Sequence, residues 1–451
     1  MTARQLFGTD GIRGTANRYP VTPEVAFRLG RAAGFLKHES CVRPRFVIGR
    51  DTRLSGEMLE AALVAGMNSV GADVLIAGVV PTPAVACLVR QLKADGGVVI
   101  SASHNPSDDN GLKLFGHDGY KLDDSLEERL ETLILTDEID GERPLGDAIG
   151  KSFLVPDAVD RYANLAKASV PGMSLAGLRV AVDCANGASS CTTPRVLKDL
   201  GAITSLFNAE PDGMNINLSC GSTHPEEISR RVLESGAQIG ISHDGDADRL
   251  VLCDERGQIV DGDEILAMTA LDALHRGTLA EKTLVATVMS NFGLDECIAA
   301  AGGKVIRTDV GDRHVVAAMR AGNFSIGGEQ SGHLIFRDHG TTGDGLVAAL
   351  QVLRIMTERG KPLSELRLCL KKYPQAQRNL RVREKPPLDS LKVVSKLVCE
   401  TEQALSGKGR VLLRYSGTEP KIRLLIEGPD EAAIRAAADQ IAFAIKGEIG
   451  E

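Results

Sequence analysis

The chain has no Cys-x-x-Cys pair, no apolar run long enough to span a bilayer and no excess of basic residues, and each absence closes off a class of protein. Its nine cysteines are scattered from Cys41 to Cys399; without paired spacing they read as small buried hydrophobes of a reducing compartment, not as bridges or zinc ligands. The most apolar stretch, Val74 to Val89, is interrupted by Gly78, Pro81 and Pro83, and the N-terminus Met1-Thr-Ala-Arg-Gln-Leu-Phe7 has no apolar signal core. A cytoplasmic protein with no membrane partner is therefore expected. Lys and Arg number 52 against 60 Asp and Glu, a net charge of −8, which argues against a nucleic-acid partner.

At 451 residues the chain is too long for one ordinary core. One pattern recurs along it. Arg45-Phe-Val-Ile-Gly49 runs into the polar loop Arg50-Asp-Thr-Arg-Leu-Ser-Gly56, a helix is expected over 57–70 and a strand over 72–77. Leu178-Arg-Val-Ala-Val-Asp183 opens Cys184-Ala-Asn-Gly187, then a helix near 194–200 and a strand at 202–207. Leu284-Val-Ala-Thr-Val-Met289 opens Ser290-Asn-Phe-Gly293, a helix over 294–301 and a strand at 304–307. Such alternation implies parallel or mostly parallel sheets covered by helices, with sites at the carboxyl ends of the strands. A basic, Pro-containing stretch from Lys371 to Pro387 separates off the C-terminus, where Val411-Leu-Leu-Arg414, Ile422-Arg-Leu-Leu-Ile426 and an Ala-rich helix over 430–446 make a shorter mixed pattern. The expected fold is α/β: three similar mixed α/β sheet domains, residues 1–153, 154–255 and 256–368, plus a smaller C-terminal α+β domain, residues 369–451, around a central cleft.

The loops carry the chemistry. His243-Asp-Gly-Asp-Ala-Asp-Arg249 places Asp244, Asp246 and Asp248 at alternate positions after a strand-like segment. Three carboxylates so close repel one another unless a cation lies among them, and hard divalent ions prefer oxygen ligands. A solvated acidic turn is the competing reading. A calcium EF-hand is not: counting from Asp244, the twelfth residue is Glu255, but the sixth is Arg249 where a glycine is needed, and strands flank the loop. Arg414-Tyr-Ser-Gly-Thr-Glu-Pro-Lys-Ile-Arg423 offers two forked guanidinium groups, two hydroxyls and a glycine to an anion, although a turn with two surface arginines would look the same. Ile326-Gly-Gly-Glu-Gln-Ser-Gly-His333 presents Glu329 and Ser331 to sugar hydroxyls or an amino group, and His333 for proton transfer; by itself it is also a plain Gly-rich turn. Thr341-Thr-Gly-Asp-Gly345 caps an expected helix over 346–356.

Directly after Gly97-Val-Val-Ile100 comes Ser101-Ala-Ser-His-Asn-Pro-Ser107. A serine at a strand's carboxyl end, a tri-carboxylate loop, an anion cradle and a sugar-facing Glu are the parts needed to move a phosphoryl group through a covalent phosphoserine. A magnesium-dependent phosphatase also clusters aspartates, but usually attacks with an Asp. Phe7-Gly-Thr-Asp-Gly-Ile-Arg-Gly14, Ser101-Ala-Ser-His-Asn-Pro106, Asp244-Gly-Asp-Ala-Asp-Arg249, Gly328-Glu-Gln-Ser-Gly-His333 and Arg414-Tyr-Ser-Gly-Thr-Glu-Pro420, in that order, resemble the signatures of the α-D-phosphohexomutases over nearly the whole chain.

The resemblance implies an isomerase that moves phosphate between the 6- and 1-positions of a hexose through a bisphosphorylated intermediate. Glu-Gln-Ser-Gly-His at 329–333, Val288-Met-Ser-Asn-Phe-Gly-Leu294 and Thr308-Asp-Val-Gly-Asp-Arg313 look most like the members that act on glucosamine phosphates and supply UDP-N-acetylglucosamine synthesis; members that act on mannose and glucose phosphates are the alternative. It implies Ser103 as the phosphorylated residue, with Ser101 and Ser107 noncatalytic neighbours, and one Mg2+ per subunit held by Asp244, Asp246, Asp248 and the Ser103 phosphate. Glucosamine 1,6-bisphosphate is the implied intermediate and activator. Glu329 and Ser331 would hold the sugar; Arg414, Ser416, Gly417, Thr418 and Arg423 would bind the phosphate that is not reacting, with Arg313 a further candidate. His104, Lys113, Arg249, Arg13 and His333 would line the reaction centre. Asp109-Asn-Gly111 reads as the turn that brings Lys113 back beside the serine loop. The implied partner is a small hexosamine phosphate, and the chain a monomer or homodimer. Tyr415 stands where many relatives have Pro, and His243 and Ala247 replace a more usual aromatic and Gly.

Overall fold

The computed structural model describes residues 5–8, 10–38, 42–136, 138, 139, 141, 143–416 and 420–450. The chain forms two compact units, Met1–Thr287 with Ile306–Cys369, and Val288–Val305 with Leu370–Glu451. Among the described residues no helix is long and apolar enough to cross a membrane.

The larger unit is built on mixed sheets. In the first, of seven strands, Arg45–Arg50 lies between Gly96–Ile100 and Asp73–Val79 and is parallel to both. These strands read as continuous apolar runs because helices cover both sheet faces; Val47, Ile48, Val98, Val99 and Ile100 are fully buried. The helix Ser55–Asn68 buries Leu59, Leu63 and Met67 at successive turns, each worth roughly 2–3 kcal/mol of burial. Beyond Ile100 the chain returns antiparallel as Asp109–Gly116, with Val99 opposite Lys113. The reversal is thus made by residues 101–108. Asp109-Asn-Gly111, expected as the turn, is already strand and pairs with Gly11–Thr15 on its other side. Two ladders on one strand outweigh the local turn preference of Asn-Gly.

The second sheet has Arg179–Asp183 parallel to both Ile203–Phe207 and Ile239–His243. Leu250–Asp254 returns antiparallel, so that His243 faces Leu250 and residues 244–249 are the closing loop of a hairpin. The third sheet pairs Thr283–Thr287 in parallel with Ile326–Gly328, which pairs antiparallel with Leu334–Phe336. Three α/β sheets with antiparallel returns bear out the mixed α/β reading.

The smaller unit holds a three-stranded antiparallel sheet in the order Gln375–Arg381, Lys421–Glu427, Arg410–Tyr415. The helix Glu431–Ile449 carries Ile434, Ala438, Ile441, Ile445 and Ile449 along one buried stripe. The segment Lys371 to Pro387, which reads as a separator, contains an edge strand whose exposed polar residues Gln377, Asn379 and Arg381 disguise it. Cysteines depart in part from the buried reading: Cys87, Cys184, Cys220 and Cys253 are buried, and burial pushes each thiol up to about 12, but Cys369 and Cys399 are exposed. Cys41 lies outside the described residues.

Candidate phosphoryl-transfer site

Ser103 leaves the strand Gly96–Ile100 in a left-handed conformation, φ 53, with only 1% of its surface exposed. Its Oγ donates to Asp244 Oδ2 at 2.6 Å, and His104 Nδ1 lies 3.4 Å away. Gly245 lets the two loops touch, since a Cβ there would stand 2.7 Å from the Ser103 carbonyl oxygen. The ring of half-buried His104 is held at a pKa of about 4, first by burial and then by Arg249 and Arg13, so it is neutral near pH 7.

Asp244, Asp246 and Asp248 are all buried, and one oxygen from each lies within 4.8 Å of the others. Burial beside Asp248 and Asp246 pushes the Asp244 carboxyl up to about 7. Asp246 Oδ2 accepts from Lys113 Nζ at 2.8 Å and Thr82 Oγ1 at 2.7 Å, but Asp246 Oδ1 and Asp248 Oδ1 are buried with no hydrogen-bond partner. Buried carboxylate oxygens without donors are costly. Two of them beside a third carboxylate fit a hard divalent cation such as Mg2+.

Buried charges close a ring around this loop. Lys113 Nζ also lies 3.4 Å from Asp10 and 3.8 Å from Asp248; Asp248 is 3.6 Å from His333 Nδ1; His333 Nε2 is 3.7 Å from Asp312; and Lys121 bridges Asp312 and Asp10. Lys113 and Lys121 set against Asp10, Asp246, Asp248 and Asp312 make the burial of these charges tolerable. Burial opposes the charge on Lys113, but Asp10, Asp246 and Asp248 outweigh it, and the ammonium stays protonated. Burial opposes a proton on His333, but Asp248 and Asp312 outweigh it and raise the pKa of the ring; against that pull, Gly343 N–H donates to Nε2 at 3.1 Å. That bond requires a lone pair and assigns the neutral tautomer, with Nδ1–H toward Asp248. Arg249 is a fixed cation, favoured by Asp244, Asp248 and Glu329 against its burial, and its backbone N–H donates to Asp244 Oδ1 at 3.2 Å. Arg13, half-buried, pairs with Asp10.

The Gly-rich loop at 327–333 meets the aspartate loop through a bridge between Arg249 and His333. Gly332 permits it: its φ is 91, and a Cβ would fall 2.1 Å from the Leu250 carbonyl oxygen. Glu329 accepts from Gly311 N at 3.0 Å, Gln330 Nε2 donates to Asp261 at 3.2 Å, and Ser331 is exposed. The Arg313 guanidinium donates to Asp124 and, at 3.0 Å, to Glu127 on a neighbouring helix. In the smaller unit Arg414 and Arg423 are directly opposite on adjacent strands, and the buried Ser416 follows; Gly417 and Thr418 lie outside the described residues. Tyr415, the unusual residue there, ends the strand and donates from its OH to Pro386 O at 2.8 Å.

The geometry adds residues that sequence reasoning passed over. Asp10 and Asp312 sit inside quoted motifs, and Asp51 and Arg53 inside a loop read only as polar. Lys121, Thr82 and Asn217 carry no local signal. His243, the departure beside the metal loop, is fully buried, with Nδ1 3.2 Å from Arg249 O and Nε2 3.0 Å from Thr193 Oγ1, so it ties one end of the hairpin loop to the other.

Phosphoglucomutase/phosphomannomutase alpha/beta/alpha domains I, II and III match residues 4–140, 160–257 and 261–373, and the C-terminal domain of that family matches residues 378–444. A phosphoglucosamine mutase of Anaeromyxobacter dehalogenans is 51% identical over 457 residues, covering 99% of this chain and 100% of that relative. One from Geobacter sp. strain M21 is 50% identical over 448 residues, 99% of each chain. Among solved structures, a phosphoglucomutase/phosphomannomutase family protein from Burkholderia thailandensis superimposes with a TM-score of 0.82 at 25% identity, covering 99% of both chains.

Proposed function

The chain belongs to the phosphoglucomutase/phosphomannomutase family, the α-D-phosphohexomutases, and from that premise we propose that it is an isomerase interconverting glucosamine 6-phosphate and glucosamine 1-phosphate. The sugar follows from relatives about half identical over their full length that are phosphoglucosamine mutases. The observation that carries the chemistry is Ser103 Oγ, 2.6 Å from Asp244 within a buried triad of carboxylates.

In the working form Ser103 carries a phosphoryl group. A sugar hydroxyl attacks its phosphorus: the new P–O bond forms, the P–Oγ bond breaks, a base beside the attacking hydroxyl takes its proton, and Ser103 Oγ takes one up in its place. His104, neutral and 3.4 Å from Oγ, hydrogen-bonds the leaving oxygen; Lys113, protonated and bound to Asp246, donates to phosphoryl oxygens or holds the carboxylates in place. The product, glucosamine 1,6-bisphosphate, turns about, and its other phosphoryl group returns to Ser103 Oγ. Glu329 and Ser331 hold the sugar, and Arg414, Ser416, Gly417, Thr418 and Arg423 receive the phosphate at the far end. Asp244, Asp246 and Asp248, with the Ser103 phosphate, would hold one Mg2+, which when bound neutralises charge on the transferring group. Arg249 adds a second fixed positive charge.

Turnover of glucosamine 6-phosphate, measured beside mannose and glucose phosphates, tests the assignment; preference for a neutral sugar would replace it with phosphomannomutase/phosphoglucomutase activity. Ser103→Ala is expected to lower turnover by on the order of 10³-fold or more, as loss of a covalent nucleophile does. It should also abolish the one-phosphoryl mass shift of the purified protein.

A further inference from the structure

One buried arginine is committed to the serine loop. Arg53 has no exposed side-chain surface. Its Nη2 donates to the carbonyl oxygens of Ser103 at 3.0 Å and Asn105 at 2.8 Å, and its Nη1 to those of Asp109 at 2.9 Å and Pro106. Its Nε donates to Asp51 Oδ2 at 2.9 Å. The same Asp51 oxygen accepts from Ser101 Oγ at 2.6 Å, and Ser101 Oγ accepts from the Ser103 N–H at 2.9 Å. From the second sheet's domain, Asn217 Nδ2 reaches the Ser103 and Asn105 carbonyl oxygens at 2.8 and 3.0 Å.

Both backbone groups of Ser103 are therefore gripped, its N–H by Ser101 and its carbonyl by Arg53 and Asn217. Only the side chain is left to face Asp244. Closing a hairpin loop does not require a buried ion pair, and Asp and Arg are almost never fully buried unless paired. Arginine's planar fork can gather several carbonyl oxygens at fixed angles, as lysine cannot. Ser103 also sits at φ 53, a conformation that a serine keeps only when its surroundings impose it.

We propose that Asp51, Arg53, Ser101 and Asn217 form a preorganised clamp, positioning residues whose task is to hold the Ser103 oxygen in line for phosphoryl transfer. The proposal rests on the phosphoserine reading above. Misplacing a reacting atom by about 1 Å costs on the order of 10²-fold in rate, so the clamp governs kcat and leaves sugar binding intact.

The test compares wild type, Ser101→Ala and Arg53→Lys in turnover of glucosamine 6-phosphate and in thermal melting, with hydrogen exchange of the 101–108 segment followed by mass spectrometry. The expected result is a kcat lowered roughly 10- to 100-fold with KM within about threefold, and faster exchange confined to the 101–108 segment. Ser101→Ala removes a single oxygen and keeps the clamp testable if Arg53→Lys does not fold. The clamp is overturned if Ser101→Ala keeps wild-type kcat, or loses activity only in proportion to the unfolded fraction, or exchanges in that segment as the wild type does. A wild type that isomerises no hexose phosphate would refute the functional reading instead, and the exchange comparison would then decide the clamp alone.

Discussion

At Ala247 the backbone sits at φ 56, the left-handed region in which a Cβ crowds the following carbonyl oxygen. The sequence comparison there, Ala for the more usual Gly, looks neutral on size; the backbone angle makes it a strained choice. Ala247→Gly is expected to stabilise the protein by up to about 1 kcal/mol, the steric relief outweighing the added freedom of the unfolded chain. A urea midpoint that rises at unchanged slope would record it; no rise would mean that the loop already absorbs the strain. Ser103 shows the same conformation but was legible from its neighbours, because hydroxyls and an imidazole crowd one strand end. Arg53 was not legible as functional: an Asp-x-Arg pair is common on surfaces, and only its complete burial distinguishes it.

Elements followed their sequence signals closely where periodicity was strong. The helices expected over 57–70, 194–200 and 294–301 occupy Ser55–Asn68, Thr193–Asp199 and Gly293–Ala300. Thr341-Thr-Gly-Asp-Gly345 indeed leads into a helix, Gly345–Arg359, whose first turn is capped by Asp344 through Val347 N. What the motif did not reveal is that this cap is buried and also accepts from Tyr162 OH at 2.8 Å. Burial, the largest influence, pushes the Asp344 carboxyl up from 3.8 to about 6. A carboxyl whose folded pKa is raised favours the folded state while protonated, and that contribution is lost as pH rises from about 4 to about 6. Asp344→Asn keeps an accepting oxygen without the charge. It should be more stable than wild type at pH 8, by up to about 3 kcal/mol on a two-unit shift, and show no such gain at pH 4. Denaturant titrations at the two pH values check the sign.

On the scale of the molecule, the buried carboxylate triad is where the larger unit could take up a divalent cation. Asp246 Oδ1 and Asp248 Oδ1 have no donors, so Mg2+ is expected to raise the melting temperature by binding the folded state, worth about 2.7 kcal/mol at a hundredfold excess over Kd. EDTA should reverse the rise and Asp246→Asn should abolish it; an equal rise in Asp246→Asn would place the ion elsewhere. The amino-acid sequence by itself determined which side chains are available and on which kind of loop, because turn chemistry and apolar periodicity act over a few residues. It also determined the mixed α/β class, through strand, polar loop, helix and strand repeated along the chain. Only the tertiary structure decided that Ser103 meets Asp244 across 141 positions and Lys113 meets Asp246 across 133. It alone turned Arg313 toward Asp124 and Glu127 and enclosed Arg53 behind the serine. Those meetings depend on strand register and on which sheet packs beside which, and no local spacing encodes them.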